Sequence, residues 1–583
     1  PTHAGRGTGT GPRAAIRIQS RNGIRLFGGI MSLINRRKLL GLALSTTLTP
    51  LALNPAWAAA PDASCGPMAT GGPPEILRAV ITMGTKTYEV RQDQGQDLGN
   101  FVSDIGGFTQ RCIRTDVAGL PMTVFFRPDL NSDRVELVFE LGRLFNAAPA
   151  NLEPYAVAIY RDDELLATVS VPAHYWFSRW RWQSAPRPIV ANVDTLIAQG
   201  LLPPYDRAPE VLSITAQTYT VMGLAGVTPY MPTTGERPDI GLLTEPQAQF
   251  VRTSDQNALT TLRAQAEAAG TVPWHMRDEN TGAPIDFRTY PKATWYSASV
   301  GSPFIAGTST PVKVDSAHQP ALAYVPYLLT GDPYHLEDLQ FQATWNWGAM
   351  PPAYRPTIPQ PRSFAWNLRT LAQCARITPA TTPAWLLPKA YWTDQLTVHR
   401  QFFEANFVNS FDPVRSIFRA TANYVTSRDE GPKAPKGTWV DPWQDEFLAA
   451  TMGWVIAMGF TDWRMAFDWK IGATIARTNG VSGWVRAQAV PYRLILRRTN
   501  TSPIAQSWAE AWQITKDITG VAVTDPDTWS PADMTYLAYA RGALVFATRL
   551  GTPGAAAGLS WANSQLALRK WNTAHKWRIT AAS

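Results

Sequence analysis

The sequence predicts a multidomain β + α protein: an N-terminal β-sandwich or jelly-roll-like domain followed by an α/α-toroid of helical hairpins. Three observations carry this expectation. Between residues 76 and 219, apolar residues alternate or cluster in short runs bounded by turn-forming residues, the pattern of strands. From about residue 315 the apolar spacing becomes helical, and an apolar helix, a short break and a second apolar helix recur in successive blocks. The blocks are unevenly spaced and share no short signature, which favours a closed toroid over a tandem-repeat solenoid.

Residues 31–60 have the character of an export signal. Met31 is followed by Arg36, Arg37 and Lys38, then by an apolar run to Leu53, then by Ala56-Trp57-Ala58, the small-x-small pattern that signal peptidase recognises. The run is shorter than the roughly 20 apolar residues of a bilayer span. Asn35-Arg36-Arg37-Lys38-Leu39-Leu40 resembles the twin-arginine export signal of bacteria, with the general route as the alternative. The expected partner is therefore the twin-arginine export machinery, the expected location periplasmic or secreted, with no stable membrane anchor. Residues 1–30 are expected to be upstream, non-structural sequence. The leader also explains the basic balance. Residues 1–60 hold eight Lys and Arg and no Asp or Glu, and the rest of the chain holds 45 of each. No surplus of positive charge is left for a nucleic-acid surface.

The expected organisation is then a signal peptide at 31–60, a β-sandwich-like domain at 61–225, an irregular connector with one helix at 226–314, and the toroid at 315–583. In the first domain, residues 135–141, 155–160 and 165–171 form strands, the last two joined by the polar turn Arg161-Asp162-Asp163-Glu164. In the connector, residues 254–269 form the helix. The helical part opens with an apolar helix over 320–329 that Pro326 should kink. Gly331-Asp332-Pro333 makes a turn with Asp332 as N-cap and Pro333 at the first helical position. A helix with Leu336, Leu339, Ala343 and Trp347 on one face follows. Similar pairs occupy about 363–397 and 443–476, and a last pair runs from Met534 through Leu566 around Leu550-Gly551-Thr552-Pro553. Of the three cysteines, Cys65 and Cys112 can pair in an oxidising compartment, which leaves Cys374 odd and buried.

The hairpin at 321–345, ALAYVPYLLTGDPYHLEDLQFQATW, with its Leu329-Thr330-Gly331-Asp332 turn, resembles the α/α-toroid carbohydrate-active enzymes, which include polysaccharide lyases and six-hairpin glycosidases. The resemblance covers about 300–583 at the level of architecture. It implies a cleft at the toroid mouth and a polysaccharide or oligosaccharide as substrate. It aligns no catalytic signature. The 23 tryptophans suit the same expectation, because flat apolar rings with polar edges stack on sugars.

Common catalytic motifs are absent from the chain. It has no H-E-x-x-H, no C-x-x-C, no phosphate-binding loop and no G-x-S-x-G. Seven histidines, one of them upstream of the signal, argue against a multi-histidine metal centre; no metal and no cofactor is expected, with carboxylate-bound calcium left open. The densest polar-aromatic cluster is Asp315-Ser316-Ala317-His318-Gln319-Pro320, followed by Tyr324 and Tyr327. His318 suits general acid/base work near neutral pH, with Tyr324 as its acid partner. A β-elimination on a uronate also needs a group to neutralise the carboxylate, and Arg362, Asn367 and Arg369 around Trp366 can supply it. A second cluster, Trp439-Val440-Asp441-Pro442-Trp443-Gln444-Asp445-Glu446, offers acids among tryptophans, as glycoside hydrolysis requires. A third, Trp274-His275-Met276-Arg277-Asp278-Glu279-Asn280, falls in the connector. The run Tyr175-Trp176-Phe177-Ser178-Arg179-Trp180-Arg181-Trp182, if a strand, would place Arg179 and Arg181 on one face and Trp180 and Trp182 on the other.

The expected function is an exported polysaccharide-active enzyme, lyase or glycoside hydrolase. The expected catalytic residues are Asp315, His318, Tyr324, Arg369 and Asp445, and the expected substrate-binding residues Trp366, Trp443, Trp439, Tyr327 and His275. The alternative is a non-catalytic carbohydrate-binding or envelope assembly protein.

Overall fold

A computed structural model describes residues 76–582, apart from 146–149, 208–213, 232–236, 296–310, 351, 353–354, 357–360, 410–437, 487–488, 491–492, 500–501, 504, 521–530 and 569–573; residues 438–440 and 531–534 are described by backbone alone. The upstream segment, the export signal, Cys65 and the Met534 side chain therefore lie outside the described residues.

Nine strands open the chain: β1 (Leu77–Met83), β2 (Lys86–Arg91), β3 (Gln96–Val102), β4 (Thr109–Asp116), β5 (Met122–Pro128), β6 (Val135–Leu141), β7 (Tyr155–Arg161), β8 (Glu164–Val171) and β9 (Ser178–Gln183). They make two antiparallel sheets, ordered β2-β1-β7-β8 and β3-β4-β5-β6-β9. The hairpin expected from residues 155–171 is β7–β8, turning at Asp162 with φ of 51°. Facing side chains of the two sheets share one apolar core: Ala79, Ile81, Val157 and Ile159 from one, and Val124, Phe126, Leu137, Phe139 and Trp180 from the other. Trp180 stacks on Phe139 with ring centroids 4.3 Å apart.

The far face of the five-stranded sheet is buried too, and it is ionic. Register places Arg127 opposite Glu136, and Glu140 opposite Arg179. Of the run 175–182, residues from Ser178 on lie in β9, and the expected alternation is present there: Arg179 and Arg181 turn to this face, while Trp180 joins the core between the sheets.

Helix α1 (Val193–Ala198) lies ahead of the connector, within the span 61–225 expected to be β-sandwich, and the connector carries α2 (Glu245–Thr253) and α3 (Gln256–Ala268). Among the described residues of 226–314 it holds two α-helices where one, over 254–269, was expected. The break between them is Ser254, whose φ of 60° ends α2 before Asp255 caps α3. Then follow α4 (Tyr324–Thr330), α5 (Pro333–Gly348), α6 (Pro361–Ile377), α7 (Lys389–Phe403), the short strand β10 (Thr438–Val440), α8 (Pro442–Ala457), α9 (Arg464–Thr478), β11 (Leu494–Arg497), α10 (Trp508–Thr519), α11 (Pro531–Arg549) and α12 (Ala555–Leu568). Helix α4 starts at Tyr324, four residues later than expected. Pro326 thus sits in the first turn, where backbone N–H groups have no intrahelical acceptor, and its missing donor costs nothing. Asp332 is the N-cap of α5, accepting from Tyr334 N at 3.2 Å, as the Gly331-Asp332-Pro333 turn predicts.

The helices pair as α4/α5, α6/α7, α8/α9 and α11/α12. Helices α5, α6, α8 and α11 pack each on the next, and α9 packs on α12. The C-terminal turn at His575–Trp577 returns to α2, where Glu245 accepts from the backbone of His575 and Lys576 at 2.7 and 3.1 Å. No described helix is long and apolar enough to cross a membrane.

Helix α5 closes the ionic face of the sheet. Wholly buried Glu337 accepts from Arg127 and Arg277, both at 2.8 Å, and from Arg179. Asp338 accepts from Arg179 at 3.0 Å and pairs with His275 at 2.7 Å. Arg181 donates to Glu136 and Asp332 at 2.8 and 2.7 Å. Each guanidinium fork meets carboxylates, the arrangement that lets charges be buried at all.

Candidate functional site

The segment that leads into α4 is the candidate site, and three helices hold it still. Gln247 of α2 donates to the carbonyls of Ala321 and Leu322 at 2.5 and 3.2 Å. Gln342 of α5 donates to Pro320 O at 2.7 Å. From α6, Trp366 donates to Ala317 O and Arg369 to Gln319 O, both at 2.8 Å. A backbone so tied fixes the side chains it carries, which is what acid/base catalysis needs.

On this segment His318 Nδ1 is hydrogen-bonded to Asp315 Oδ2. Burial pushes the imidazole below its ordinary value, more than Asp315 pulls it up, and Arg362 lowers it further. Burial raises the Asp315 carboxyl, but the hydrogen bond from His318, the Ala317 backbone and the Arg362 charge outweigh this and hold it low. The result at neutral pH is a neutral imidazole whose Nδ1–H donates to an ionised carboxylate. Its Nε2 lone pair has no partner among the described residues. Arg237 and Arg362 both act on the pair electrostatically. Arg362 also lies over the Trp443 ring, 5.5 Å from its centroid. Trp366 in turn meets Phe447, 4.0 Å between centroids, one turn along α8 from Trp443. Ends of α6 and α8 thus converge with the 315–318 turn.

The structure brings together Asp315, His318, Trp366, Arg369 and Trp443 of the residues expected at the site, but it buries all of them except Asp315; Trp366, expected to bind substrate, is packed on Phe447 and bonded to Ala317 O, and Arg369 is enclosed. Its guanidinium donates to Gly241 O and Gln319 O and lies over Trp366, so it braces the segment and offers no open charge. Arg362 is the arginine at the Asp315–His318 pair. Asp445 sits two residues beyond Trp443 but pairs with Lys470. Glu446 is buried against Arg477, and burial pushes its carboxyl up to about 7 against that arginine's pull. Asp441 faces Arg493 at 3.6 Å.

Three expected residues sit elsewhere. Tyr324 is buried in the helical core, its hydroxyl donating to Leu201 O at 2.7 Å and its ring edge-on to Trp454, so it offers no proton to His318. Tyr327 is buried, with its hydroxyl 3.5 Å from Ile377 O. His275 belongs to the ionic layer, held between Asp338 and Phe177 O. The backbone of Trp439 lies in β10 opposite Ile495, and its side chain is outside the described residues. Cys112 and Cys374 are buried free thiols. Among the described residues, no cluster of three or more His, Cys, Asp or Glu has metal-binding geometry.

Sequence reasoning missed Gln247 and Gln342, which position the segment, and Arg237. A signal existed for Gln247: Thr244-Glu245-Pro246-Gln247 is a capping box ahead of an apolar run. Nothing local marked Gln342 or Arg237. Comparisons with protein-family models, with curated proteins and with solved structures give no match.

Proposed function

We propose that this chain is an exported polysaccharide-active enzyme that cleaves uronate-containing chains by β-elimination at the Asp315–His318 pair. The observation that carries the reading is the neutral His318, oriented by Asp315, with an unpartnered Nε2 and the Arg362 guanidinium close by. Nε2 takes the proton α to the uronate carboxylate. Arg362 stabilises the negative charge that develops on that carboxylate. The C–O bond to the leaving sugar then breaks as the ring double bond forms, and the imidazolium returns the proton to the leaving oxygen. Elimination is favoured over hydrolysis because Asp441, Asp445 and Glu446 all face cations, whereas hydrolysis needs two carboxyl groups free on opposite sides of the bond.

The twin-arginine-like leader supports export to the periplasm or beyond. The paired helices, with the C-terminal turn returning to α2, support a toroid that carries this cleft, flanked by the β-sandwich. The test is a screen of the purified protein against pectate, alginate and glycosaminoglycans, reading ultraviolet absorbance from unsaturated ends and, separately, reducing ends. Activity with new absorbance is expected, and His318→Ala should lower turnover by about 10² or more. Reducing ends without absorbance would replace elimination by hydrolysis. A folded His318→Ala protein with full activity would remove the assignment.

A further inference from the structure

A second site lies away from the Asp315–His318 pair, where the sandwich, α3 and α5 meet. A cavity of about 280 Å³ opens there, close to the lower end of ordinary small-molecule sites, roughly 300 Å³, and so suited to a single sugar-sized molecule. One wall is apolar: Leu262, Ala264, Pro326 and Leu329. The other carries Arg181, Arg187, Arg263 and His335, together with Glu267 and Asp332.

The acids of that wall are already engaged. Asp332 and Glu267 both accept from Arg181, at 2.7 and 2.9 Å. Arg187 is satisfied outside the cavity lining by a two-pronged bond to Asp129, 2.6 Å on each side. Arg263 is different. It donates to Arg187 O at 3.4 Å and has no carboxylate partner among the described residues; burial lowers its guanidinium and no neighbouring charge offsets this. Two further donors on the lining residues, Arg187 Nε and His335 Nδ1, are buried without an acceptor. For His335 the tautomer follows from its neighbour. Arg181 Nη2, always a donor, lies 3.4 Å from Nε2, so Nε2 accepts and the neutral ring carries its proton on Nδ1. None of the lining residues has a buried acceptor lacking a donor. The wall thus has donors and one uncompensated cation to spare.

We propose that this cavity binds a small organic carboxylate, its charge paired with the Arg263 fork and its body against Leu262, Pro326 and Leu329. A guanidinium matches a carboxylate with two parallel bonds. The experiment is calorimetric titration of the full chain with glucuronate, with glucose as the uncharged analogue and inorganic phosphate as an anion of other geometry. The expected result is saturable one-to-one binding of glucuronate, no binding of glucose, and phosphate weaker by about tenfold or more. Arg263→Gln should weaken glucuronate by about tenfold or more with an unchanged thermal midpoint, and Arg263→Lys, which keeps the charge but not the fork, by less. His318→Ala should leave this binding unaltered. Absence of glucuronate binding, equal binding of glucose or phosphate, or unchanged affinity in a folded Arg263→Gln protein would overturn the proposal. So would loss of binding in His318→Ala alone, which would place the ligand in the other cleft. None of these readings depends on polysaccharide cleavage, so the two assignments fail separately.

Discussion

Replacing Glu337 by Gln tests whether the ionic layer holds sheet and helices together. Three arginines converge on this carboxylate from three places in the chain: Arg127 on β5, Arg179 on β9 and Arg277 in the connector. All four side chains are almost fully buried. Burial pushes the Glu337 carboxyl up, but the three guanidiniums outweigh it and hold the group far below the usual range. Gln keeps the size and one acceptor oxygen, but its NH₂ must face a donor and the negative charge is gone. A hydrogen bond to a charged group is worth about 1.5–3 kcal/mol, and one or two are lost here. Removing one partner of a buried ion pair costs about 3–5 kcal/mol for the same reason. The first route spans about 1.5–6 kcal/mol and the second about 3–5 kcal/mol, so a loss of about 3–5 kcal/mol is expected, a large share of the roughly 5–15 kcal/mol that holds a folded protein. Urea unfolding followed by circular dichroism and tryptophan fluorescence measures it. The pH dependence gives a second reading. A depressed folded pKa means that the stabilisation is complete above the unfolded value, near 4.5, and fades as pH falls below it. The Gln variant should therefore unfold less steeply with acid than the parent chain. A stability loss below about 1 kcal/mol would show that the arginines are satisfied by Glu136, Glu140 and Asp338 alone and would refute the reasoning.

Further expectations concern other groups. Burial lowers His174 and His399 from 6.5 to about 4, so the folded state binds their protons later than the unfolded state does. Stability should be full above pH 6.5 and fall toward pH 4, by roughly 3 kcal/mol per histidine, and His399→Gln should flatten that part of a pH–midpoint curve. Asp315→Asn replaces the acceptor-only carboxylate that fixes the His318 tautomer with an amide whose NH₂ can face Nδ1, and it removes the charge that raises the His318 pKa; turnover on an identified polysaccharide should drop by about 10² or more, with thermal midpoint little changed. Gly200 has φ of 70°, and a Cβ there would lie 2.0 Å from Ala457 O. Gly200→Ala should lower stability by about 2 kcal/mol or more, measured by urea midpoint, while Gly520→Ala, also at positive φ but in open space, should cost about 1 kcal/mol.

Where the apolar pattern has a single period, sequence and structure agree. Residues 155–171 alternate around a polar turn, and they are β7 and β8. Asp332 and Pro333 mark a helix start by their own local chemistry, without help from the rest of the chain. The Arg-Trp-Arg-Trp run declared two faces because strand geometry demands them. What those faces meet was not legible. Glu337 and Asp338 look like ordinary solvated helix acids until the fold places Arg127 and Arg179 against them, and sequence separation hides that. The same limit explains the site. Asp315 and His318 are neighbours in the chain, so their pairing is local. Tyr324 is also near in sequence, but as the first residue of α4 it turns into the core, where Leu201 O accepts its hydroxyl proton. Arg369 was the expected neutraliser, with Arg362 and Asn367 beside it. Only the packing of α6 shows that Arg369 is consumed by backbone carbonyls.

The ionic face of the five-stranded sheet also bears on how the chain is made. Strand β9 ends at Gln183 and its covering helix begins at Pro333. At roughly 5–20 residues per second, a ribosome needs on the order of 10–30 seconds to synthesise the stretch between them. Throughout that interval one face of the nascent sheet has no cover. Were it apolar, like the opposite face, it would invite pairing with other nascent chains. Arg127, Glu136, Glu140, Arg179 and Arg181 instead keep it hydrated until α5 arrives with the missing acids. The layer that is costly to bury at the end of folding is thus an inexpensive surface to expose at its beginning.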